Sequence, residues 1–327
     1  MNNETVAAIY RQDILCFRLV LAILTTILDV IILIFIKKRN GNRSDLIMIT
    51  YQNDKEKFVY TVGFTVGSLV TSLGRIMMFS HRVSMTLQPV HYVPAWHCVT
   101  YNVYVHINTV GSDSVTLVIC LCSFERFLFF HNPNLHKHAF SIFTRINVLI
   151  GVFSIGLLNT LICIGIALSH FEKPVLFFCP KAEVASKRYF YIYACTKVGL
   201  TTVAAFTYML TLFVVVCNVK SNQCSLAHFR HKREKSILKS LLCVFTAFVL
   251  TQFFPWIAIA LMSASKEVYA SITVAARVME NSFLLVAALM YLLIHPDLSS
   301  QLKYYFYKAK CCRCTVDNKV KSDVYIG

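Results

Sequence analysis

Long apolar runs alternate with short polar connections along the whole chain. Seven runs stand out, at residues 14–36, 58–79, 98–124, 146–168, 189–219, 240–262 and 268–294. About 20 apolar residues in a helix cross the hydrocarbon of a bilayer. Inside hydrocarbon every backbone polar group must be paired within its own segment, so such runs become helices. No long repeat, low-complexity tract or Pro/Gly/Ser linker divides them, and one domain is predicted. The fold class is therefore an all-α membrane protein, a seven-transmembrane helix bundle over 14–294. A polar stretch, 1–13, precedes it, and the first run reads as a spanning helix rather than as a cleavable signal peptide. After the seventh run, Leu298, Leu302, Tyr305 and Phe306 share one face of a short helix that would lie in the interface. Residues 295–327 thus read as an amphipathic helix and tail.

Composition agrees with this reading. Of 327 residues, 57% are hydrophobic and 15% charged, which does not describe a soluble domain of this size. The net charge of +16 would by itself suggest nucleic acid. Its distribution says otherwise. With the N-terminus outside, the inner segments hold 21 Lys and Arg residues, in clusters such as Lys37-Lys38-Arg39, Arg230 to Lys239 and Lys303 to Lys321; the outer segments hold 7. That excess orients the chain with its N-terminus outside and its C-terminus inside. The basic charge then serves topology and attraction to an anionic inner leaflet. Asn3 begins a glycosylation sequon on the outer side.

The third run carries Asn102, His106, Thr109, Asp113, Thr116 and Cys120 at steps of four, three, four, three and four. Such positions share a helix face, and a polar face in a membrane must meet protein or water. Thr109, Thr116 and Cys120 read as hydrogen-bonding glue between helices. Asp113 lies about 20 Å along the helix from Arg126. Counting along the other runs puts Arg75, Lys197, Arg277 and Glu280 at a similar depth, with Gln252 and Trp256 on the sixth run. Asn102, His106, Asp113, Lys197, Gln252, Trp256, Arg277 and Glu280 are the candidate ligand-binding set. Two alternatives stay open: Arg277 and Glu280, three apart, can pair with each other, and Arg75 can snorkel outward. The cations outnumber the acids, which points to a polar, acidic ligand with Lys197 or Arg277 as counter-ion and Asp113 orienting a cation. Asp29, in the first run, reads as part of a structural network.

At the inner end of the third run stands Glu125-Arg126-Phe127, followed by Pro133. The sixth run contains Gln252-Phe253-Phe254-Pro255-Trp256, and a proline there frees a carbonyl and kinks the helix. The acid-Arg-aromatic triplet with its trailing proline, the seven spans and Pro255 resemble the rhodopsin-like G-protein-coupled receptors. The resemblance covers residues 14–314. It implies that Arg126 holds a resting state through a local ion pair and then faces a heterotrimeric G protein. Glu125, Phe127, Pro133, Phe253 and Pro255 would take part in that coupling. It also implies a bridge between Cys98, which would open the third span from outside, and Cys179 in the second outer loop. Cys98 stands about one turn further from Arg126 than the family has it.

The departures are specific. The second span has no acid at the family's sodium site, the fourth no tryptophan and the fifth no proline. Phe253 replaces a tryptophan, His295-Pro296 stands where Asn-Pro is usual, and Ser299 stands where a tyrosine should be. This bare skeleton with short loops looks like the nematode serpentine chemoreceptors, and the Glu-Arg form leans toward their Sra-type branch. The resemblance implies the plasma membrane, the sensory cilium included, as location. Cys311, Cys312 and Cys314, beside basic residues after the last span, read as palmitoylation sites.

No phosphate loop, His-Glu-x-x-His or nucleophile elbow is present, so neither an enzyme nor a cofactor or metal is expected. A multi-pass solute transporter or a ligand-gated channel is the alternative. A transporter commonly shows two related halves, and the seven unequal spans show none.

Overall fold

The structure is a computed structural model, and it describes residues 11–41, 48–86, 91–221, 242–243, 245–264, 270–294 and 299. Seven long helices form one bundle: α1 (Gln12–Gly41), α2 (Met48–Met85), α3 (Val103–His131), α4 (Ile142–Ser169), α5 (Lys187–Ser221), α6 (Phe254–Ala264, preceded by a π-helical turn, Val249–Phe253) and α7 (Ala270–Ile294). Each is long and apolar enough to cross a membrane, the sixth when taken from Phe245 through its π turn to Ala264, and each overlaps one of the seven predicted runs. The sequon at Asn3, residues 222–239 with their predicted inner-side basic cluster, His295-Pro296, the predicted amphipathic segment 298–310 apart from position 299, and Cys311, Cys312 and Cys314 lie outside the described residues.

The bundle is apolar on both sides of its helices. Phe64, Val118, Ile119, Tyr208, Phe248 and Phe283 fill the centre. On the perimeter Phe17, Leu157, Phe206 and Phe213 are each more than half exposed. A surface of that kind is covered by lipid, not water. α3 packs on α2, α4 and α5. Its approach to α2 is close because Gly67 and Gly111 face one another. A Cβ at Gly111 would sit 2.5 Å from the Thr71 hydroxyl oxygen and 2.6 Å from its backbone nitrogen. Small residues at such crossings replace the hydrophobic drive that lipid removes.

Two local details differ from the sequence expectation. Cys98 does not open the third span. It lies in a separate short helix, Ala95–Tyr101, and the chain breaks at Asn102 (φ −102°, ψ 54°) before α3 begins at Val103. This extra element accounts for the added turn between Cys98 and Arg126. In α6, Pro255 has no N–H for the carbonyl of Thr251. The preceding turn widens to π geometry, and the Phe254 N–H reaches the Val249 carbonyl instead.

One end of the bundle carries a small folded cap. Strand β1 (Tyr92–Pro94) pairs antiparallel with β2 (Pro174–Leu176). The Cys98–Cys179 disulfide joins the short helix to the loop after β2. Cys179 has φ 51°, the left-handed region, where a non-glycine residue needs outside support. Arg82 supplies some by donating to the Phe178 carbonyl at 3.0 Å. Glu183 accepts from the Leu176 N–H at 3.1 Å. The cap thereby aims a four-residue helix, Lys181–Val184, across the end of the bundle.

Candidate functional site

The charged groups inside the bundle gather just beneath this cap. On α3, Asp113 meets the Lys197 ammonium of α5 at 2.8 Å, and both side chains are under a tenth exposed. Burial makes such a pair costly unless the remaining valences are met, and they are. Tyr193 donates its hydroxyl to Asp113 at 2.9 Å, and Asn159 of α4 donates its amide to the other oxygen. Tyr189 donates to Asn159 at 2.8 Å. Lys197 also donates to the Ser112 carbonyl and to the Thr116 hydroxyl. The polar stripe of α3 therefore faces α4 and α5. Thr109 and Thr116 return their hydroxyl protons to their own helix, and Cys120 donates to the Leu200 carbonyl.

A second group centres on Glu280 of α7, held by Arg75 at 3.4 Å and by Arg277 at 3.1 Å. Arg75 is 5% exposed, so it points inward rather than snorkelling. Gln252 of α6 donates to the Glu280 carbonyl at 3.3 Å. Trp256 joins the two groups. The Lys197 ammonium lies 5.8 Å from its ring centre and the Arg277 guanidinium 5.9 Å. Six of the eight ligand candidates, Asp113, Lys197, Gln252, Trp256, Arg277 and Glu280, are thus brought together. The other two are not. Asn102 donates to the Cys179 sulfur at 2.8 Å and His106 pairs with the Val99 carbonyl at 3.1 Å, so both brace the helix break under the cap.

Several members of the cluster escaped the sequence reading. Asn159 is an amide in the apolar fourth run, and Tyr189 and Tyr193 are four apart at the start of α5, a spacing that puts them on one face. Arg18 is a charge within the first run; its guanidinium sits 4.4 Å from the Phe79 ring centre. Lys181 is one of the seven cations of the outer segments. It reaches inward from the cap, 3.5 Å from the Tyr193 ring centre and 5.8 Å from that of Tyr189. The residue is half-buried, but its nitrogen is sealed from solvent and has no hydrogen-bond partner among the described residues. Burial pushes its pKa down to about 8, and nearby Asp113 offsets part of that.

Most of the cluster is buried: Asp113, Lys197, Gln252, Trp256 and Glu280 are each under a tenth exposed, while the Arg277 side chain is 29% exposed. Two surface depressions stand out among the described residues, and neither reaches the cluster. One is an apolar groove between α3 and α4, lined by Val110, Ile150 and Leu157 among others. The other is a notch between α1 and α7, lined by Ile14, Val274 and Val278. Where the sequence predicts an open polar cavity, the side chains of the cluster pair with one another. Asp29 is 0% exposed and faces the equally buried Ser68 hydroxyl of α2.

At the opposite end of the bundle lies the Glu125-Arg126-Phe127 triplet. Glu125 pairs with Arg145 of α4 at 2.7 Å and approaches His136 at 3.4 Å. Arg126 is exposed and makes no ion pair among the described residues. Among the described residues the ion pair at this helix end runs through the acidic neighbour of Arg126, because α4 brings Arg145 against Glu125. Phe127 stacks on His131 at 5.2 Å. Asn132 ends α3, and its side chain accepts from the Leu135 N–H to cap a new helix, Pro133–Ala139, with Pro133 in its first turn. Phe253 and Pro255 lie in the π turn of α6 and just after it. Compared with known proteins, the chain matches no family model and no curated sequence. What the fold defines is a multi-pass, seven-helix membrane protein with a disulfide-tied cap.

Proposed function

We propose that this protein is a chemosensory receptor of the G-protein-coupled kind, akin to the nematode serpentine receptors. A small ligand binds under the cap, at the end that faces outside. A heterotrimeric G protein binds at the other end, around Arg126. The observation that carries this reading is the buried charge cluster on Trp256, which sits one residue beyond Pro255. Intramembrane charges are expensive and mark functional sites by default. Here they border a helix whose hydrogen-bond ladder is interrupted at the π turn. A ligand that repartners Lys197, Arg277 or Glu280 favours a different setting of α6 by as much as its affinities for the two settings differ. Arg126, exposed and unpaired by Glu125, is available to a cytoplasmic partner.

The test is a screen of small polar ligands on cells expressing the full chain, read by a G-protein activation sensor. A ligand-evoked signal that Arg126→Ala abolishes at equal surface expression is the expected result. Ligand-driven uptake or conductance without any G-protein response would overturn the reading in favour of a transporter or channel.

A further inference from the structure

Charge under the cap does not balance. Among the described residues, Arg18, Arg75, Lys181, Lys197 and Arg277 face Asp113 and Glu280, five cations to two carboxylates. Asp113 is saturated by Lys197, Tyr193 and Asn159. Glu280 is shared by two arginines. Two cations are left over: Arg18, which lies over the Phe79 ring, and Lys181. The Lys181 nitrogen has neither a carboxylate nor a hydrogen bond among the described residues, and a tyrosine face is its nearest partner. A sealed ammonium without an anion is a large desolvation cost that a bound anion would repay. Around that tyrosine, Tyr193, lie the Phe190 ring at 6.4 Å and the Trp256 ring at 5.8 Å, and Arg277 is placed over these two at 5.7 and 5.9 Å.

We infer that Lys181 is the anion anchor of the site and that the ligand is an amphipathic monocarboxylate. Its carboxylate takes the Lys181 ammonium, with Arg277 as second contact, and its apolar body lies against Tyr193, Phe190 and Trp256. Lys197, which the sequence offered as counter-ion, is already neutralised and serves to position Asp113. The ligand enters by displacing the lysine head from the Tyr193 face, a movement its flexible stem permits. The inference deepens the receptor reading and rests on it for its biological meaning, but not for its test.

The test is thermal stabilisation of the purified full-length protein by aliphatic and aromatic monocarboxylates, hexanoate and phenylacetate among them. The matching primary amides and amines serve as controls. Stabilisation by carboxylates only is expected. Lys181→Gln removes an unpartnered charge, so it should fold at least as well as the wild type while weakening carboxylate affinity by about thirtyfold or more. Lys181→Arg should restore most of that affinity. Only the ammonium binds an anion, so affinity should fall as pH rises above about 8. The other groups facing Lys181 are Asp113, Cys163, Lys197, Arg277, Tyr189 and Tyr193. Lys181→Gln should abolish this pH dependence, which separates the lysine from its neighbours. No stabilisation by any carboxylate, or equal affinity in Lys181→Gln, overturns the inference. Carboxylate binding without G-protein activation would refute the receptor reading and leave the anchor standing. A G-protein response to an amine or a neutral ligand that survives Lys181→Gln would do the reverse.

Discussion

Replacing Asp113 by asparagine tests the centre of the cluster. The substitution preserves shape and removes one charge. Hydrogen bonding changes little, because the Asn159 amide can flip to meet the new NH2 group, and the remaining oxygen still accepts from Tyr193. What is lost is the anion 2.8 Å from the Lys197 ammonium, in a pair whose side chains are 3% and 9% exposed. Removing one partner of a buried pair leaves the other uncompensated, at about 3–5 kcal/mol. At about 2 °C per kcal/mol this is a fall of roughly 6–10 °C in Tm. Lys197 keeps its bonds to the Ser112 carbonyl and the Thr116 hydroxyl, which holds the loss toward the lower figure. Adding Lys197→Met to Asp113→Asn removes the orphaned charge, so the double variant should melt above the Asp113→Asn single. The assay is thermal unfolding of the purified protein in detergent, with all four members of the cycle at one pH. An Asp113→Asn variant that melts with the wild type, or a double variant no better than that single, would refute the pairing as the organising contact.

Three further outcomes are expected. Gly111→Val should lower stability by about 1–3 kcal/mol and reduce surface expression, since its side chain meets the Thr71 backbone, whereas Gly165→Ala, with nothing within 4 Å, should be neutral or better; equal effects from the two would contradict the close crossing of α2 and α3. Epitope tags should stain at the N-terminus on intact cells and at the C-terminus only after permeabilisation; a C-terminal tag stained on intact cells reverses the topology and with it the proposed function. Glu125→Gln should free Arg145 and His136 and raise basal G-protein activation, while Arg126→Ala should lower ligand-evoked activation without loss of folding; basal activity unchanged by the first substitution would separate the Glu125–Arg145 contact from signalling.

The seven spans were legible in the sequence because the bilayer imposes one length and one polarity on every crossing, and both are local properties of the chain. The Cys98–Cys179 pairing was legible through the resemblance, and the Arg277–Glu280 contact through its spacing of three. The depth of Asp113, Lys197 and Glu280 followed from counting at a fixed rise per residue. Their partners did not follow. Whether Asp113 takes Lys197 or Arg75 depends on how each helix is rotated and how closely it stands to its neighbours, and no periodicity within one helix encodes that. The same holds at the other end, where Arg145 of α4, and not the adjacent Arg126, takes Glu125. Lys181 is the clearest case. In the sequence it is a loop charge two residues after Cys179, indistinguishable from Lys187 or Arg188. Only the disulfide-tied cap turns it inward onto Tyr193, because the direction of a loop is decided by the elements it is fastened to.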